Sequence, residues 1–200
     1  MIKAVIFDWG GVLIDNPAPG LIAYFASSLG VTGEAINIAY GKFAPEFQKG
    51  LISEEILWER ICSELGVRKP YSPSLWTDAF REVYSPKEEM FTLASRLREK
   101  GYKVGLLSNT EVAAMNYFYE QGYDMFDATV FSCAVGARKP ERRIYEITLG
   151  RLGVQPEEAI FIDDRVDFIE GAEKVGINVI LFKNPEQVRK ELASFSIKIT

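Results

Sequence analysis

Four groups of polar residues follow short apolar runs of the sequence, and their types suit metal and phosphate chemistry. They are Asp8, the pair Ser108 and Asn109, Lys139, and the pair Asp163 and Asp164. Two or three carboxylates in one place form a site for Mg²⁺, because this ion prefers oxygen ligands. A lysine, a serine hydroxyl and backbone amides supply donors for a phosphate group. One ionised carboxylate that faces such a phosphate can act as a nucleophile.

The absence of histidine narrows the chemistry that this sequence could perform. None of the 200 residues is histidine, and only Cys62 and Cys133 are cysteines. Ser-His-Asp and Cys-His catalysis, histidine-ligated zinc or iron, and a disulfide framework are therefore excluded. Carboxylates become the leading candidates for acid, base or nucleophile.

Composition and charge indicate a protein with a packed core and without a nucleic-acid footprint. Hydrophobic residues make up 48% of the chain, which is ample for a core. The 28 acidic and 23 basic residues give a net charge of -5, and the basic residues form no stripe, so a nucleic-acid partner is not expected. Neither a signal peptide nor an apolar stretch of membrane-spanning length is apparent, so we expect a cytoplasmic protein with no membrane partner.

Five apolar runs predict strands that are buried on both faces, because they do not alternate with polar residues. The runs are 4–7, 104–107, 129–131, 159–162 and 179–182. Apolar residues at helical spacing separate the later runs, and a glycine follows each of these helical segments. This alternation predicts an α/β fold, with a doubly wound, mostly parallel Rossmann-like sheet and helices on both faces.

The region between the first run and residue 86 breaks this alternation, since it has helical patterns only. Helices are predicted over 21–29, 34–47, 54–65 and 74–83. We therefore expect an α/β core domain made of residues 1–15 and 86–200. Residues 16–85 are expected to form a small helical cap inserted after the first strand.

The polar groups are expected to converge, because ligands bind beyond the carboxyl ends of the strands in open α/β sheets. Each group also has a structural interpretation. Ser108 followed by Glu111 fits a helix capping box, and Lys139 before a proline is typical of a solvated loop. Asp163 and Asp164 could cap the next helix, although adjacent acids that end an apolar strand are costly unless they are paired or metal-bound.

The order of the four groups resembles the four motifs of the haloacid dehalogenase superfamily. In this sequence the motifs are an apolar run ending in Asp8, Ser108-Asn109, Lys139-Pro140 and Asp163-Asp164. The resemblance extends over nearly the whole chain. Residues 48–53 also resemble the helical cap that phosphatase-like members carry after the first motif.

The resemblance implies a role for each motif residue. Asp8 would be the nucleophile that takes the phosphoryl group, and Lys139 would orient it and neutralise the phosphoryl charge. Phosphate oxygens would be held by Ser108, the Asn109 amide, Lys139 and Gly11. Mg²⁺ would be held by Asp8, the Gly10 carbonyl, Asp164 and Asp163, with Asp167 supporting this shell.

Gly10 departs from the family pattern in a way that bears on catalysis. Phosphatases of this family usually carry a second Asp there, two residues after the nucleophile, as general acid and base. Loss of such assistance typically costs about 10²–10⁴-fold in rate. Asp15 is a candidate substitute, with capping of the first cap helix or lining of the hinge near Pro17 as its structural alternatives. Phe168 stands where many relatives have Asn beside the acidic motif.

Three functions are compatible with these residues. We favour a Mg²⁺-dependent phosphatase that acts on a small phosphorylated metabolite, such as a sugar phosphate, through an aspartyl phosphate. A 2-haloacid dehalogenase would use the same Asp8 and release halide without a proton donor, but three unneutralised acids would repel its anionic substrate. A catalytically weakened protein that binds a phosphorylated ligand is the third.

Cap residues would select the substrate. The candidates are Trp9, Phe43, Phe47 and Lys49, although aromatic residues on cap helices are more often part of the cap's own core. The sequence indicates neither the physiological substrate nor the oligomeric state.

Overall fold

The chain folds around a five-stranded parallel sheet. The computed structural model describes residues 1–69 and 71–197. Within these residues the strands are β1 Ala4–Phe7, β2 Lys103–Ser108, β3 Ala128–Phe131, β4 Ala159–Asp163 and β5 Asn178–Leu181. Their order is β3-β2-β1-β4-β5, and every neighbouring pair is parallel. The predicted α/β fold is confirmed, and each predicted strand end lies within one residue of an observed one.

Between β1 and β2 the described residues form five helices, and the first four make up the helical block. These four are α1 Ala18–Leu29, α2 Gly33–Gln48, α3 Glu54–Leu65 and α4 Leu75–Val83. The predicted helices differ from these by at most three residues at an end, and α2 continues through Gly41 and Pro45. Phe25 of α1 packs against Trp58 and Trp76, with ring centroids 4.8 and 5.0 Å apart. These aromatic contacts hold the helices together within the hydrophobic cluster that also includes residues of the sheet.

The remaining helices cover both faces of the sheet. They are α5 Glu88–Glu99, α6 Val112–Glu120, α7 Ser132–Val135, α8 Arg142–Leu152, α9 Val166–Glu173 and α10 Pro185–Ser194. Val5 and Phe7 of β1 join the hydrophobic cluster that contains α5, α6 and α10. Ala4 and Ile6 join the cluster on the other face, with α8 and α9. Burial on both faces explains why the strand sequences do not alternate.

The two connections between the helical block and the sheet run side by side. The Asp15 N–H donates to the Ser85 carbonyl over 2.9 Å. The Lys87 N–H donates to the Leu13 carbonyl over 2.8 Å. The Asp15 carboxylate also pairs with Lys87 at 2.9 Å and accepts a hydrogen bond from Ser85 Oγ at 2.8 Å. Asp15 is therefore a hinge residue, and α1 begins after Pro17 without a side-chain cap.

These paired connections lie where the sequence places the limits of the cap. The division into a core of residues 1–15 and 86–200 and a cap of residues 16–85 stays a prediction. Pro70 and residues 198–200, which those ranges include, lie outside the described residues.

No single helix in the described part of the chain is long and apolar enough to cross a membrane. Helices α1 and α2 reach the required length only as a pair, and a bend of 109° separates them. Both helices place side chains in the buried hydrophobic cluster, including Phe25 and Ile36.

Candidate active site

Asp8 stands at the carboxyl end of β1, where the chain enters a tight turn. Its N–H donates to the Ile162 carbonyl of β4 over 2.9 Å, and the residue is 6% exposed. The chain turns at Gly11, which has a φ of +92° and donates its N–H to the Ile14 carbonyl over 2.9 Å. The Gly11 N–H is thus used within the turn, and a contact between Gly11 and phosphate stays a prediction.

Lys139 is the buried cation at the centre of the site. Its Nζ lies 2.7 Å from Asp8 Oδ1 and 2.6 Å from Asp163 Oδ2. The same atom lies 3.3 Å from the Leu107 carbonyl. An ammonium group has three N–H donors, so each donor has an acceptor and the buried charge is compensated. The solvated-loop interpretation of Lys139 is wrong.

Asn109 fixes the loop that carries Lys139. Its Oδ1 accepts a hydrogen bond from the Lys139 N–H at 2.8 Å, and its Nδ2 donates to the Lys139 carbonyl at 3.0 Å. The Asn109 side chain thus holds the Lys139 backbone at both of its polar groups. A contact between phosphate and the Asn109 backbone amide stays a prediction.

Ser108 is the last residue of β2 and is buried. Its Oγ lies 3.1 Å from Thr110 Oγ1, and the Thr110 N–H donates to Ser132 Oγ over 2.9 Å. Helix α6 starts only at Val112, and its N-cap Glu111 makes no side-chain capping bond. The capping-box interpretation of Ser108 is wrong, so its hydroxyl remains a candidate phosphate ligand.

Three carboxylates gather beside Lys139. They belong to Asp8, Asp163 and Asp164, and one oxygen of each lies within 4.8 Å of the others. This donor set fits Mg²⁺. Asp163 is the least available, because Oδ2 pairs with Lys139 and Oδ1 accepts the Arg165 N–H at 2.9 Å. Asp8 and Asp164 have more open oxygens than Asp163, and direct contact of each of the three with an ion stays a prediction.

Gly11 makes room for Asp164. A Cβ atom on Gly11 would overlap the Asp164 carboxylate, so only glycine fits both this space and the left-handed backbone. Its neighbour Gly10 lines the adjoining cavity, and a Cβ there would lie 3.2 Å from the Pro17 ring. The predicted use of the Gly10 carbonyl as a metal ligand stays a prediction.

The charges of the cluster shift the pKa values of its members. Burial and the neighbouring Asp163 raise the pKa of Asp8 to about 7, although Lys139 acts in the opposite direction. Burial and Asp163 also raise the pKa of Asp164. Burial acts to lower the pKa of Lys139, but Asp163 and Asp8 outweigh it and raise that pKa. Three carboxylates against one ammonium give an excess of negative charge that favours a cation.

Asp167 does not join the carboxylate cluster. Its two oxygens accept hydrogen bonds from Arg165 Nε and Nη2 at 3.0 and 2.8 Å, and its side chain is half exposed. Its side chain is turned to a surface arginine, and a supporting role for the metal shell stays a prediction. Phe168 takes the place beside the motif instead, with its ring 4.8 Å from Lys139 Nζ and 4.1 Å from the Arg165 guanidinium.

A cavity of about 530 Å³ borders the cluster. Its lining from the sheet side includes Asp8, Gly10, Ser108, Asn109, Lys139 and Asp164. One face of α2 supplies Asn37, Tyr40, Gly41, Ala44, Pro45 and Gln48. The motif residues are thus brought together at one edge of the sheet, as the topology requires.

Trp9 lines this cavity and also packs into the hydrophobic core. Its ring centroid lies 5.2 Å from that of Phe80 and 5.3 Å from that of Phe118. The indole N–H groups of Trp9 and Trp76, both in the cavity wall, are buried without an acceptor among the described residues. Such unmade hydrogen bonds are rare in folded proteins.

The other three predicted selectivity residues do not line the cavity. They are Phe43, Phe47 and Lys49. Phe47 packs on Trp76 with ring centroids 5.1 Å apart, and Lys49 pairs with Glu141 at 2.5 Å. The residues of α2 that line the cavity form the stripe 37, 40, 41, 44, 45 and 48, whereas Phe43 and Phe47 pack into the hydrophobic cluster. That stripe of small and polar residues was readable from the sequence once α2 was placed.

Glu111 lines the cavity, although the sequence motifs do not identify it as a site residue. It is only 6% exposed, and its Oε1 accepts hydrogen bonds from Tyr40 OH at 2.8 Å and Gln48 Nε2 at 3.2 Å. Burial raises the pKa of the Glu111 carboxyl, against the effect of the Tyr40 hydrogen bond. Nothing in the sequence marks this residue, because its partners are on α2, more than 60 positions away.

Comparison with known proteins agrees with the geometry. The model of the haloacid dehalogenase-like hydrolase family matches residues 2–176. The chain therefore belongs to the haloacid dehalogenase-like hydrolases, and the predicted membership and hydrolase class are confirmed.

Several named relatives cover most of the chain. Acyl-CoA dehydrogenase family member 10 of Mus musculus is 33% identical over 199 residues, which are 95% of this chain but only 19% of the mouse protein. The sesquiterpene phosphatase astK of Aspergillus oryzae is 30% identical over 181 residues, 88% of this chain and 87% of the relative. The D-ribitol-5-phosphate phosphatase of Bacteroides thetaiotaomicron is 28% identical over 206 residues, 96% of this chain and 97% of the relative.

A solved structure of similar fold supports the same family. A mutant of a family enzyme from Bacteroides thetaiotaomicron superposes with a TM-score of 0.77 and 27% identity, covering 92% of this chain and 95% of the enzyme. That enzyme was solved in complex with magnesium and inorganic phosphate.

Proposed function

We propose that this chain is a Mg²⁺-dependent phosphomonoester hydrolase that acts on a small phosphorylated metabolite, such as a sugar phosphate. The observation that carries the proposal is the convergence of Asp8, Lys139 and Asp164 beside Ser108 in one cavity. The names of two relatives, a ribitol phosphate phosphatase and a sesquiterpene phosphatase, support the reaction class.

Asp8 is the nucleophile in this proposal. Lys139 pairs with one of its oxygens at 2.7 Å and so favours the ionised carboxylate and fixes its direction. The Asp8 oxygen attacks phosphorus, the bond to the leaving alcohol breaks, and an aspartyl phosphate forms. Water then hydrolyses this ester, which releases inorganic phosphate and regenerates the carboxylate.

The other cavity residues hold the phosphate and the ion. The Ser108 hydroxyl and the Asn109 amide donate to phosphate oxygens, and Lys139 offsets their charge. Mg²⁺ would be held by Asp8, Asp164 and the Gly10 carbonyl. When bound, this ion polarises the phosphate and offsets its negative charge. Asp163 serves mainly to hold Lys139, since that contact is 2.6 Å long and fully buried.

Gly10 provides no proton for the leaving alcohol. The reaction is therefore fastest with leaving groups that need little protonation, such as phenols. For alkyl esters the missing acid costs about 10²–10⁴-fold. Asp15 does not replace it, because its carboxylate is exposed and paired with Lys87 in the hinge.

The dehalogenase alternative is weaker. Halide departure needs no acid, which agrees with Gly10. The substrate is an anion, however, and three clustered carboxylates with one ammonium would repel it unless a cation were also bound.

Hydrolysis of p-nitrophenyl phosphate tests the proposal. We expect activity that needs Mg²⁺, stops with a chelator and falls below detection in Asp8→Asn. Asp124→Asn, which changes an exposed carboxylate, is the matched control and should keep the wild-type rate. Full activity in Asp8→Asn would overturn the proposal, and metal-independent chloride release from 2-chloropropionate would support the dehalogenase.

A further inference from the structure

We propose that Glu111 recognises the leaving group of the substrate and selects phosphate esters of polyhydroxylated alcohols. Tyr40 and Gln48 are the positioning residues that hold its carboxylate. This inference rests on the proposed function, and it names the group that chooses among phosphate esters.

The first observation is the burial of a carboxylate that has no direct ion-pair contact among the described residues, although the charge of Arg138 acts on it. Glu111 is 6% exposed, and no lysine or arginine in the described residues pairs with it within 4.0 Å. Burial of a charge without a partner is costly, and such groups are concentrated at functional sites. Here the carboxylate lies in the wall of the cavity that contains Asp8.

The second observation is the direction of its hydrogen bonds. Tyr40 OH and Gln48 Nε2 both donate to the same oxygen, Oε1. The backbone N–H of Glu111 also donates to this carboxylate. These three donors leave at least one of its roughly four lone pairs for a ligand. A carboxylate oxygen held in this way accepts hydrogen bonds from ligand hydroxyl groups.

The third observation is the place of Glu111 between the two walls of the cavity. It follows the proposed phosphate ligand Ser108 by three residues, and it contacts α2 of the helical block through Tyr40 and Gln48. A substrate whose phosphate lies at Ser108 and Asp8 therefore extends its alcohol along this wall.

The rest of this wall is also polar. Asn37 and Arg138 line the cavity together with Tyr40, Gln48 and Glu111. These groups offer donors and acceptors that several hydroxyls can use at once. An apolar alcohol of the same size would leave them unpaired, which a site built for hydroxyls rejects strongly.

The test compares three esters under Mg²⁺: ribitol 5-phosphate, pentyl phosphate and phenyl phosphate. For Glu111→Ala we expect kcat/KM for the ribitol ester to fall about tenfold to a hundredfold, because a substrate hydroxyl loses its acceptor. The values for the pentyl and phenyl esters should change less than about threefold. Tyr40→Phe should give a smaller loss with the same substrate bias.

Two controls separate recognition from folding. Glu99→Gln, on the exposed end of α5, should leave all three values unchanged. Glu111→Gln keeps the shape of the side chain and replaces Glu111→Ala if that variant does not fold. Its ratio of kcat/KM for the pentyl ester to kcat/KM for the ribitol ester should still be higher than in wild type. Ribitol with inorganic phosphate should raise the Tm of wild type more than phosphate alone, and should not do so in Glu111→Gln.

The outcomes distinguish this inference from the proposed function. Equal losses with all three esters, or none, would overturn the assignment of Glu111. A wild-type protein that hydrolyses pentyl phosphate as well as the ribitol ester, whose leaving groups are both alkyl alcohols, would also overturn it. If wild type hydrolyses none of the three, the proposed function fails first, and the ribitol effect on Tm still decides whether Glu111 binds hydroxyls.

Discussion

Lys139 Nζ lies 2.6 Å from Asp163 Oδ2, and both side chains are almost completely buried. The second Asp163 oxygen accepts the Arg165 N–H at 2.9 Å. Both Asp163 oxygens therefore have partners in the protein. Its neighbour Asp164 is half-buried and, among the described residues, forms no ion pair and accepts a hydrogen bond only from its own backbone. We therefore propose separate tasks for these two adjacent acids, with Asp163 holding the lysine and Asp164 facing the ion.

This division of tasks predicts different defects in two neighbouring variants. Asp163→Asn should lower kcat about tenfold to a hundredfold with little change in the Mg²⁺ concentration for half-maximal activity, because it disturbs a supporting contact. Asp164→Asn should raise that Mg²⁺ concentration at least about tenfold. A Mg²⁺ titration of activity measures both.

Asp167→Asn is the matched control for this pair, since its carboxylate pairs with exposed Arg165. Both its kcat and its Mg²⁺ requirement should stay at the wild-type values. A larger shift in Mg²⁺ requirement for Asp163→Asn than for Asp164→Asn would contradict the assignment.

Gly11→Ala should impair Mg²⁺ use as well as stability. The new Cβ would overlap the Asp164 carboxylate and force it to move, and the left-handed backbone adds about 1–2 kcal/mol of strain. Gly30→Ala shares the strain, with a φ of +67°, but a Cβ there has nothing within 4 Å. Chemical denaturation should therefore show similar losses of stability in the two variants. A Mg²⁺ titration of activity should show a raised Mg²⁺ requirement in Gly11→Ala alone. A metal defect of equal size in both variants would rule out the steric explanation.

Gly10→Asp should supply the missing general acid. We expect kcat for alkyl phosphates to rise by up to about 10²–10⁴-fold, and kcat for phenyl phosphate to change little. Because a Cβ at Gly10 would lie 3.2 Å from Pro17, the double variant with Pro17→Ala removes the close contact, and Pro17→Ala alone is its control. No gain for alkyl esters in either form would show that proton donation is not the limiting step.

The Glu111 carboxyl should make stability depend on pH. Burial raises its pKa above the ordinary value of 4.5, although the hydrogen bonds of Tyr40 and Gln48 and the charge of Arg138 oppose this. Between 4.5 and the raised value, the folded state binds more protons than the unfolded state, so this group's contribution to stability falls as pH rises. Cys133 is a further titratable group near Glu111, and burial raises the pKa of its thiol to about 12.

Glu111→Gln does not titrate, which isolates this effect. The free energy of unfolding of wild type, minus that of Glu111→Gln, should decrease as pH rises from 4.5. The decrease should be about 1.4 kcal/mol for each unit by which the native pKa is raised. Urea denaturation of both proteins from pH 4.5 to 8 measures the difference. A difference that is flat or that increases with pH would mean that the native pKa is not raised.

The sequence alone indicates the sheet and the motif positions with good precision. Buried parallel strands need continuous apolar runs, so 4–7 and 159–162 stand out without any knowledge of the fold. Asp8, Lys139 and Asp164 follow such strands or their loops, and a parallel sheet brings these ends to one edge. The resemblance of these motifs to one superfamily added the expected roles.

Only the tertiary structure decides which hydrogen-bond donors and acceptors pair with each other and which face of a helix lines the cavity. The Gly11 N–H donates within a turn, and the carboxylates of Asp163 and Asp167 pair with Lys139 and Arg165. The cavity wall includes Glu111 because Tyr40 and Gln48 reach it from α2. A hydrogen-bond donor or acceptor is used by whichever partner lies nearest in space, and a local sequence pattern does not contain that distance. Strand positions follow from burial, which each segment encodes by itself, whereas partners follow from the packing of segments that are far apart in the chain.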